Sequence, residues 1–227
     1  MFINKENVEN ILNDLAKQIR KKNKAKGLSC ELIIVGGASI LLNYGFRDST
    51  EDIDCYDSNG LLMNEVIDEI AKKYSLPSDW INTSFIHSSS YSPKLVQYST
   101  FYKTYCNGVL IVRTIKDEYL LAMKMVSARK YKNDYSDVAG IIHYLKSNNI
   151  ELTFERIEKA VIDLYGDTTL ISKEMIAFVK REFASDNNDY EDVKEIEKNN
   201  RLIAIKTTGD KDAKIMQSVL DDLQIIK

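Results

Sequence analysis

Two aspartates one residue apart, Asp52 and Asp54, are the side chains of this 227-residue chain best placed for chemistry. They flank Ile53 in Glu51-Asp52-Ile53-Asp54-Cys55-Tyr56, where polar and apolar residues alternate. In a strand, successive side chains point to opposite faces, so both carboxylates project on one side while Ile53 enters the core. Neighbouring carboxylates repel unless a divalent cation bridges them. Upstream, an apolar run from Leu32 to Val35 leads into Gly36-Gly37-Ala38-Ser39 and then a helical pattern over Ile40 to Tyr44. Two glycines at the start of a helix let a phosphate approach backbone N–H groups, where the dipole favours anions. A tight turn and an exposed strand with one buried isoleucine are the plainer readings of the same two motifs.

The order of these residues, Gly36-Gly37-Ala38-Ser39 followed by Arg47-x-Ser49-x-x-Asp52-Ile53-Asp54, resembles the nucleotidyltransferase superfamily, whose hallmark is Gly-Gly/Ser, a spacer and Asp-x-Asp. It is most similar to the small bacterial enzymes that include the AbiEii-type toxins of toxin–antitoxin systems. A later stretch fits the same resemblance: Lys124, Arg129, then Asp134-Tyr135-Ser136-Asp137-Val138. The resemblance implies an α/β (α+β) fold with a small mixed sheet flanked by helices. It implies that Asp52 and Asp54 bind Mg²⁺ and that Gly36, Gly37 and Ser39 hold the triphosphate of an NTP. Lys124 would steady that triphosphate, and Asp137 would join the catalytic set. Arg47 would orient the carboxylates or touch phosphate; an ion pair with Asp48 or Glu51 is equally open, as is a helix-capping role for Ser39. The implied reaction moves a nucleoside monophosphate to a hydroxyl acceptor, an RNA 3′ end, a protein or a small molecule, and a cognate antitoxin is an implied partner. One departure stands out. The superfamily often places a third carboxylate on a later strand, but the strand around Val109–Val112 offers only Asn107, Arg113 and Thr114 as polar positions. A non-catalytic nucleotide- or partner-binding protein that keeps the fold is the alternative.

The elements that must position these residues are legible from hydrophobic spacing. Residues 5–22 read as an amphipathic helix ending in Lys17, Arg20, Lys21, Lys22, Lys24 and Lys26, a solvated helix end or a phosphate contact. Residues 61–74 read as a second helix stopped by Pro77, and a short strand is expected near Thr83–Ile86. Residues 97–115 read as a hairpin turning at Asn107-Gly108. A helix is expected over 116–131, with acids in its first turn and Arg129, Lys130 and Lys132 at its end. Lys124 falls among apolar residues there, where it must snorkel to water or meet a partner. Another helix covers 135–146, with Asp134 a candidate cap.

The polar cluster Lys146–Asn149 suggests a boundary, giving a nucleotidyltransferase-like domain over 1–147 and a helical region over 148–227. Helices are expected there at 153–165, 170–184, 190–204 and 211–225, with Asp189, Glu191, Asp192, Glu195 and Glu197 on a solvated face.

Net charge is −3, split as +2 over residues 1–150 and −5 over 151–227, which excludes a generic basic nucleic-acid binder. No run approaches the ~20 apolar residues needed to span a membrane, and the first residues lack a secretory pattern, so no membrane association and a cytoplasmic location are expected. Three widely spaced cysteines, without Cys-x-x-Cys, indicate neither a disulfide framework nor a zinc site.

Overall fold

The structure, a computed structural model, describes residues 2–23 and 27–208. The helix expected at 211–225, and Lys24 and Lys26 of the basic cluster, lie outside the described residues. The chain divides into two compact units, Met1–Leu120 and Leu121–Lys227.

The first unit is a mixed α/β layer. Its elements are β1 (Ile3–Asn4), α1 (Val8–Lys22), β2 (Cys30–Ile34), α2 (Gly36–Asn43), β3 (Ser49–Thr50), β4 (Ile53–Asp57), α3 (Asn64–Tyr74), β5 (Ile81–Asn82), β6 (Ser99–Tyr105) and β7 (Leu110–Ile115). Five strands form one sheet in the order β5-β4-β2-β7-β6, while β1 and β3 pair separately. β2 runs antiparallel to β4 and parallel to β7, and β5 runs parallel to β4.

The register sorts the side chains by face. Ile34 stands opposite Cys55, and Leu32 lies two residues before Ile34. These residues and Ile53 form one buried cluster with Ile11, Leu12, Leu15 and Ile19 of α1 and Val66 and Ile70 of α3. Each such side chain contributes about 1.5–3 kcal/mol on burial, so this face supplies the unit's cohesion. The alternate residues, Ile33 opposite Tyr56 and Val35 beside Asp54, occupy the other face. The core therefore seals one side of the sheet and leaves the carboxylate side for other uses.

Several local expectations are revised. Leu61–Met63 are not helical, and α3 ends at Ser75 in a left-handed conformation (φ 51°), two residues before Pro77. The strand expected at Thr83–Ile86 is instead β5 at Ile81–Asn82, followed by 3₁₀ turns at Ser84–His87 and Pro93–Tyr98. The hairpin loop is Cys106–Val109, with Cys106 and Asn107 as well as Gly108 at positive φ, and a bulge between Phe101 and Lys103 interrupts the alternation of β6. Cys30 and Cys55 are buried free thiols.

Next come α4 (Asp117–Ser127), α5 (Asp134–Ser147), α6 (Phe154–Tyr165), α7 (Lys173–Ala184) and α8 (Tyr190–Thr208). In the second unit, α5 is buried on most of its surface and packs on α7 and α8. α4 stops four residues earlier than its spacing suggested, because Ala128 turns left-handed (φ 41°). Arg129, Lys130 and Lys132 therefore lie in a loop and do not complement the α4 dipole.

Candidate active site

The first unit gathers the Gly-Gly turn, Arg47 and the aspartates. β2 ends at Ile34, and Val35 caps α2 without a side-chain hydrogen bond to the helix's first N–H groups. Those N–H groups are the ones a bound anion would satisfy. Gly36 has φ +60°, a conformation that favours glycine. A Cβ on Gly36 would lie 3.6 Å from Asp54 Oδ2, so the Asp54 carboxylate faces the turn. Gly37 is required for a different reason. A Cβ there would sit 2.8 Å from Arg47 Nη2 and 2.9 Å from Thr50 Oγ1. The guanidinium thus lies against the glycine backbone, held partly by its Nε donating to Ser49 O at 3.0 Å.

Asp54 sits within β4 and Asp52 just before it, both half-buried. Their common side is supported by a third residue that the sequence did not single out for the site. Asn82 on β5 is in register with Asp54, and its Nδ2 donates to Asp52 Oδ2 at 3.3 Å. Its Oδ1 accepts from Ser84 N at 2.8 Å, which anchors the amide. Asn82 thus stands on the strand beside Asp54; β7, where a third acid was sought, neighbours β2 instead. Only knowledge of which strands pair could have identified it. Ser39 does not cap α2: it lies four residues past the capping residue, fully buried, with its hydroxyl lacking a partner.

Among the described residues, no group of three or more His, Cys, Asp or Glu is placed to hold a metal ion. Two half-buried carboxylates beside an open helix start still fit Mg²⁺. That ion typically takes one or two protein carboxylates and completes its shell with water and substrate phosphate oxygens.

Two cavities adjoin these residues. An apolar slot of about 50 Å³ is lined by Ile33, Val35, Tyr56, Phe85, Tyr91 and Leu95. It lies on the carboxylate side of the sheet, roofed by the irregular segment after β5. Phe85 and Tyr91 meet edge to face at 5.6 Å. An open polar groove of about 510 Å³ is lined by Asn82, Thr83 and Ser84 together with Asp57, Asn64 and Asp68.

The second unit gathers the other predicted residues. Lys124 does not snorkel: it is 7% exposed, and its Nζ lies 2.9 Å from Asp134 Oδ1 and 2.8 Å from Asp137 Oδ2. Arg129 grips Asp134 with Nε at 2.8 Å and Nη2 at 3.0 Å, and its backbone N–H donates to Asp134 Oδ2 at 3.0 Å. Asp134 and Asp137 are fully buried. Burial alone would raise the Asp134 carboxyl, but the charges of Lys124 and Arg129 outweigh it and hold the group well below the usual carboxylate range. Asp134 is thereby committed to the ion pair and does not cap α5, whose capping residue is Asn133. Glu197 is also corrected: it is 2% exposed and not on a solvated face. Its burial is hidden in the sequence because α8 is rich in charge and its spacing marks no clear apolar face.

A comparison with protein-family models matches residues 9–169 to a family described as nucleotidyltransferase of unknown function (DUF6036). The chain belongs to that family. The match spans both the Gly36–Asp54 turn and the Lys124–Asp137 stretch of this nucleotidyltransferase family member, and ends before α7 and α8. No curated protein and no solved structure matches it. Among the described residues of this family member, no helix is long and apolar enough to cross a membrane.

Proposed function

We propose that the protein is a Mg²⁺-dependent nucleotidyltransferase that moves a nucleoside monophosphate from an NTP to a hydroxyl acceptor. The observation that carries this reading is the Asp54 carboxylate facing the Gly36 turn at the start of α2. In this reading Asp52 and Asp54 hold Mg²⁺, which neutralises developing charge on the phosphates when bound. The α2 amides receive phosphate oxygens, with Arg47 adding charge beside Gly37. The buried Ser39 hydroxyl does not face solvent. Asn82 orients Asp52. The slot beside Tyr56 receives the flat apolar part of the nucleotide. Catalysis of this kind is mainly positioning and charge neutralisation. Lys124 and Asp137 enter on their motif, as members of the buried ion-pair cluster with Asp134 and Arg129.

The polar groove supports a choice of acceptor. Asp57 and Asp68 line it, and carboxylates repel a phosphodiester backbone. A protein hydroxyl fits better than an RNA 3′ end. The likeness to AbiEii-type toxins supports a toxin role with a cognate antitoxin.

The test supplies the purified protein with Mg²⁺, each α-labelled NTP, and lysate protein or total RNA, with Asp52→Ala/Asp54→Ala as control. Mg²⁺-dependent label on protein, from the wild type alone, is the expected result. Label on RNA would overturn the acceptor assignment. NTP binding without transfer to any acceptor would favour the non-catalytic binding reading.

A further inference from the structure

The ion-pair cluster of the second unit is completed by residues beyond the stretch shared with the family. α8 carries Glu197 and Asn200, three residues apart and so on one face, 2% and 1% exposed. Glu197 Oε1 accepts the Tyr135 N–H at 2.8 Å, and Oε2 accepts the Ser136 N–H at 3.3 Å and the Ser136 hydroxyl at 2.6 Å. These amides belong to the first turn of α5, the turn that holds Asp134 and Asp137. No side chain of its own capping residue satisfies them. A residue on another helix therefore does the capping, which is an unusual demand on a carboxylate that has no exposed surface to retreat to.

Asn200 acts on the other side of the cluster. Its Nδ2 donates to Lys130 O at 2.9 Å, pinning the loop that carries Arg129. That loop begins at Ala128 (φ 41°), whose N–H still donates to Lys124 O at 2.9 Å. Lys130 itself pairs with Glu174 of α7 at 3.1 Å. The loop after Arg129 and the first turn of α5, which carries Asp134 and Asp137, are thus tied to α7 and α8.

We propose that Glu197 and Asn200 are positioning residues that hold Lys124, Asp134 and Asp137 in register, so that α8 is part of the working apparatus and not an appendage. The functional half of this inference rests on the roles given to Lys124 and Asp137 above. The physical reason is the small tolerance of such clusters. A misplacement of about 1 Å can cost on the order of 100-fold in rate, and a slip of the first turn of α5 moves both acids that face Lys124.

The test uses the full chain as wild type, Glu197→Ala, Asn200→Ala and Glu197→Gln. Two readouts are taken well below each protein's Tm. The first is the rate of reductive methylation of Lys124, mapped by peptide mass spectrometry against the exposed Lys17 and Lys159. The second is kcat and KM for label transfer from an α-labelled NTP. We expect both alanine variants to raise Lys124 methylation at least about tenfold with Lys17 and Lys159 unchanged, and to lower kcat by about tenfold or more while KM moves less. Glu197→Gln keeps one acceptor for the Tyr135 N–H and recovers part of both. If Glu197→Ala fails to fold, Asn200→Ala and Glu197→Gln decide the matter by the same readouts. Unchanged Lys124 protection and unchanged kcat, with only Tm lowered, would overturn the proposal. If the wild type transfers no label, the reading of function fails separately, and Lys124 methylation alone decides whether α8 positions the cluster.

Discussion

The two charged groups of this protein solve opposite problems. Around Asp52 and Asp54, two like charges stand half-exposed on one side of a sheet, with glycines beside them and an asparagine amide donating from a neighbouring strand. Around Lys124, opposite charges are buried and cancel, with Asp134 accepting from both Lys124 and Arg129. The first arrangement is the one that, in the proposed reading, a cation would bridge. The second is complete and is damaged by removing any member. Substitution of a carboxylate should therefore have opposite consequences in the two places, on function in one and on folding in the other.

The largest effect that sharpens this contrast is expected at Asp54. Asp54→Asn should lower nucleotide transfer on the order of 1000-fold, while Tm changes by less than about 3 °C, because the group is half-exposed and repelled by Asp52. Radiolabel transfer and calorimetry on one preparation check both parts. Next comes Asp134→Ala, which leaves the buried Lys124 with Asp137 alone and takes from Arg129 its carboxylate. It should destabilise by about 3–5 kcal/mol in urea unfolding. A loss below about 1 kcal/mol would break the comparison.

Smaller effects follow. Asn82→Ala should weaken Mg²⁺ affinity about 10-fold, as loss of a supporting partner does elsewhere, measured by titration in the presence of a non-hydrolysable NTP analogue. Gly36→Ala should cost about 1–2 kcal/mol from its left-handed conformation, while Gly37→Ala should displace Arg47 and show mainly in KM for NTP.

The pH dependence of stability has opposite signs in the two acids of the buried group. Asp134 is held below its ordinary value, so its stabilisation is present at neutral pH and is lost as pH falls below about 4. Burial first, and then Asp134 and Asp137 beside it, push Glu197 up to about 8, against the hydrogen bonds from Ser136 and Tyr135. Its protonated form is favoured on folding, so its contribution is full below its ordinary value and is lost as pH rises through about 8. Tm of the wild type should fall between pH 5 and 9, and Glu197→Gln should flatten that slope.

What the sequence disclosed follows the same contrast. Asp52 and Asp54 were visible because a strand alternates sides, and the Gly-Gly turn because it joins a buried strand to a helix. The hairpin around Asn107-Gly108 and α1 were equally plain from spacing. Asn82 was not, because its role depends on which strand lies beside β4. For Arg47 the sequence suggests phosphate or acids, yet its guanidinium lies against Gly37 and donates to Ser49 O, contacts that only the folded loop defines. Lys124 was marked as anomalous in an apolar segment, and the two carboxylates that resolve the anomaly lie 10 and 13 residues on. Glu197 was read as solvated because charge on a helix usually is. The tertiary position of α8, not its composition, buries it.

The measurement that tests the central claim most directly is metal binding itself. Electron paramagnetic resonance of Mn²⁺, standing in for Mg²⁺, would be recorded with NTP for the wild type and for Asp52→Asn/Asp54→Asn. The account predicts NTP-dependent Mn²⁺ binding by the wild type that the double variant loses while remaining folded. Equal binding by both proteins, or none by the wild type, would contradict it.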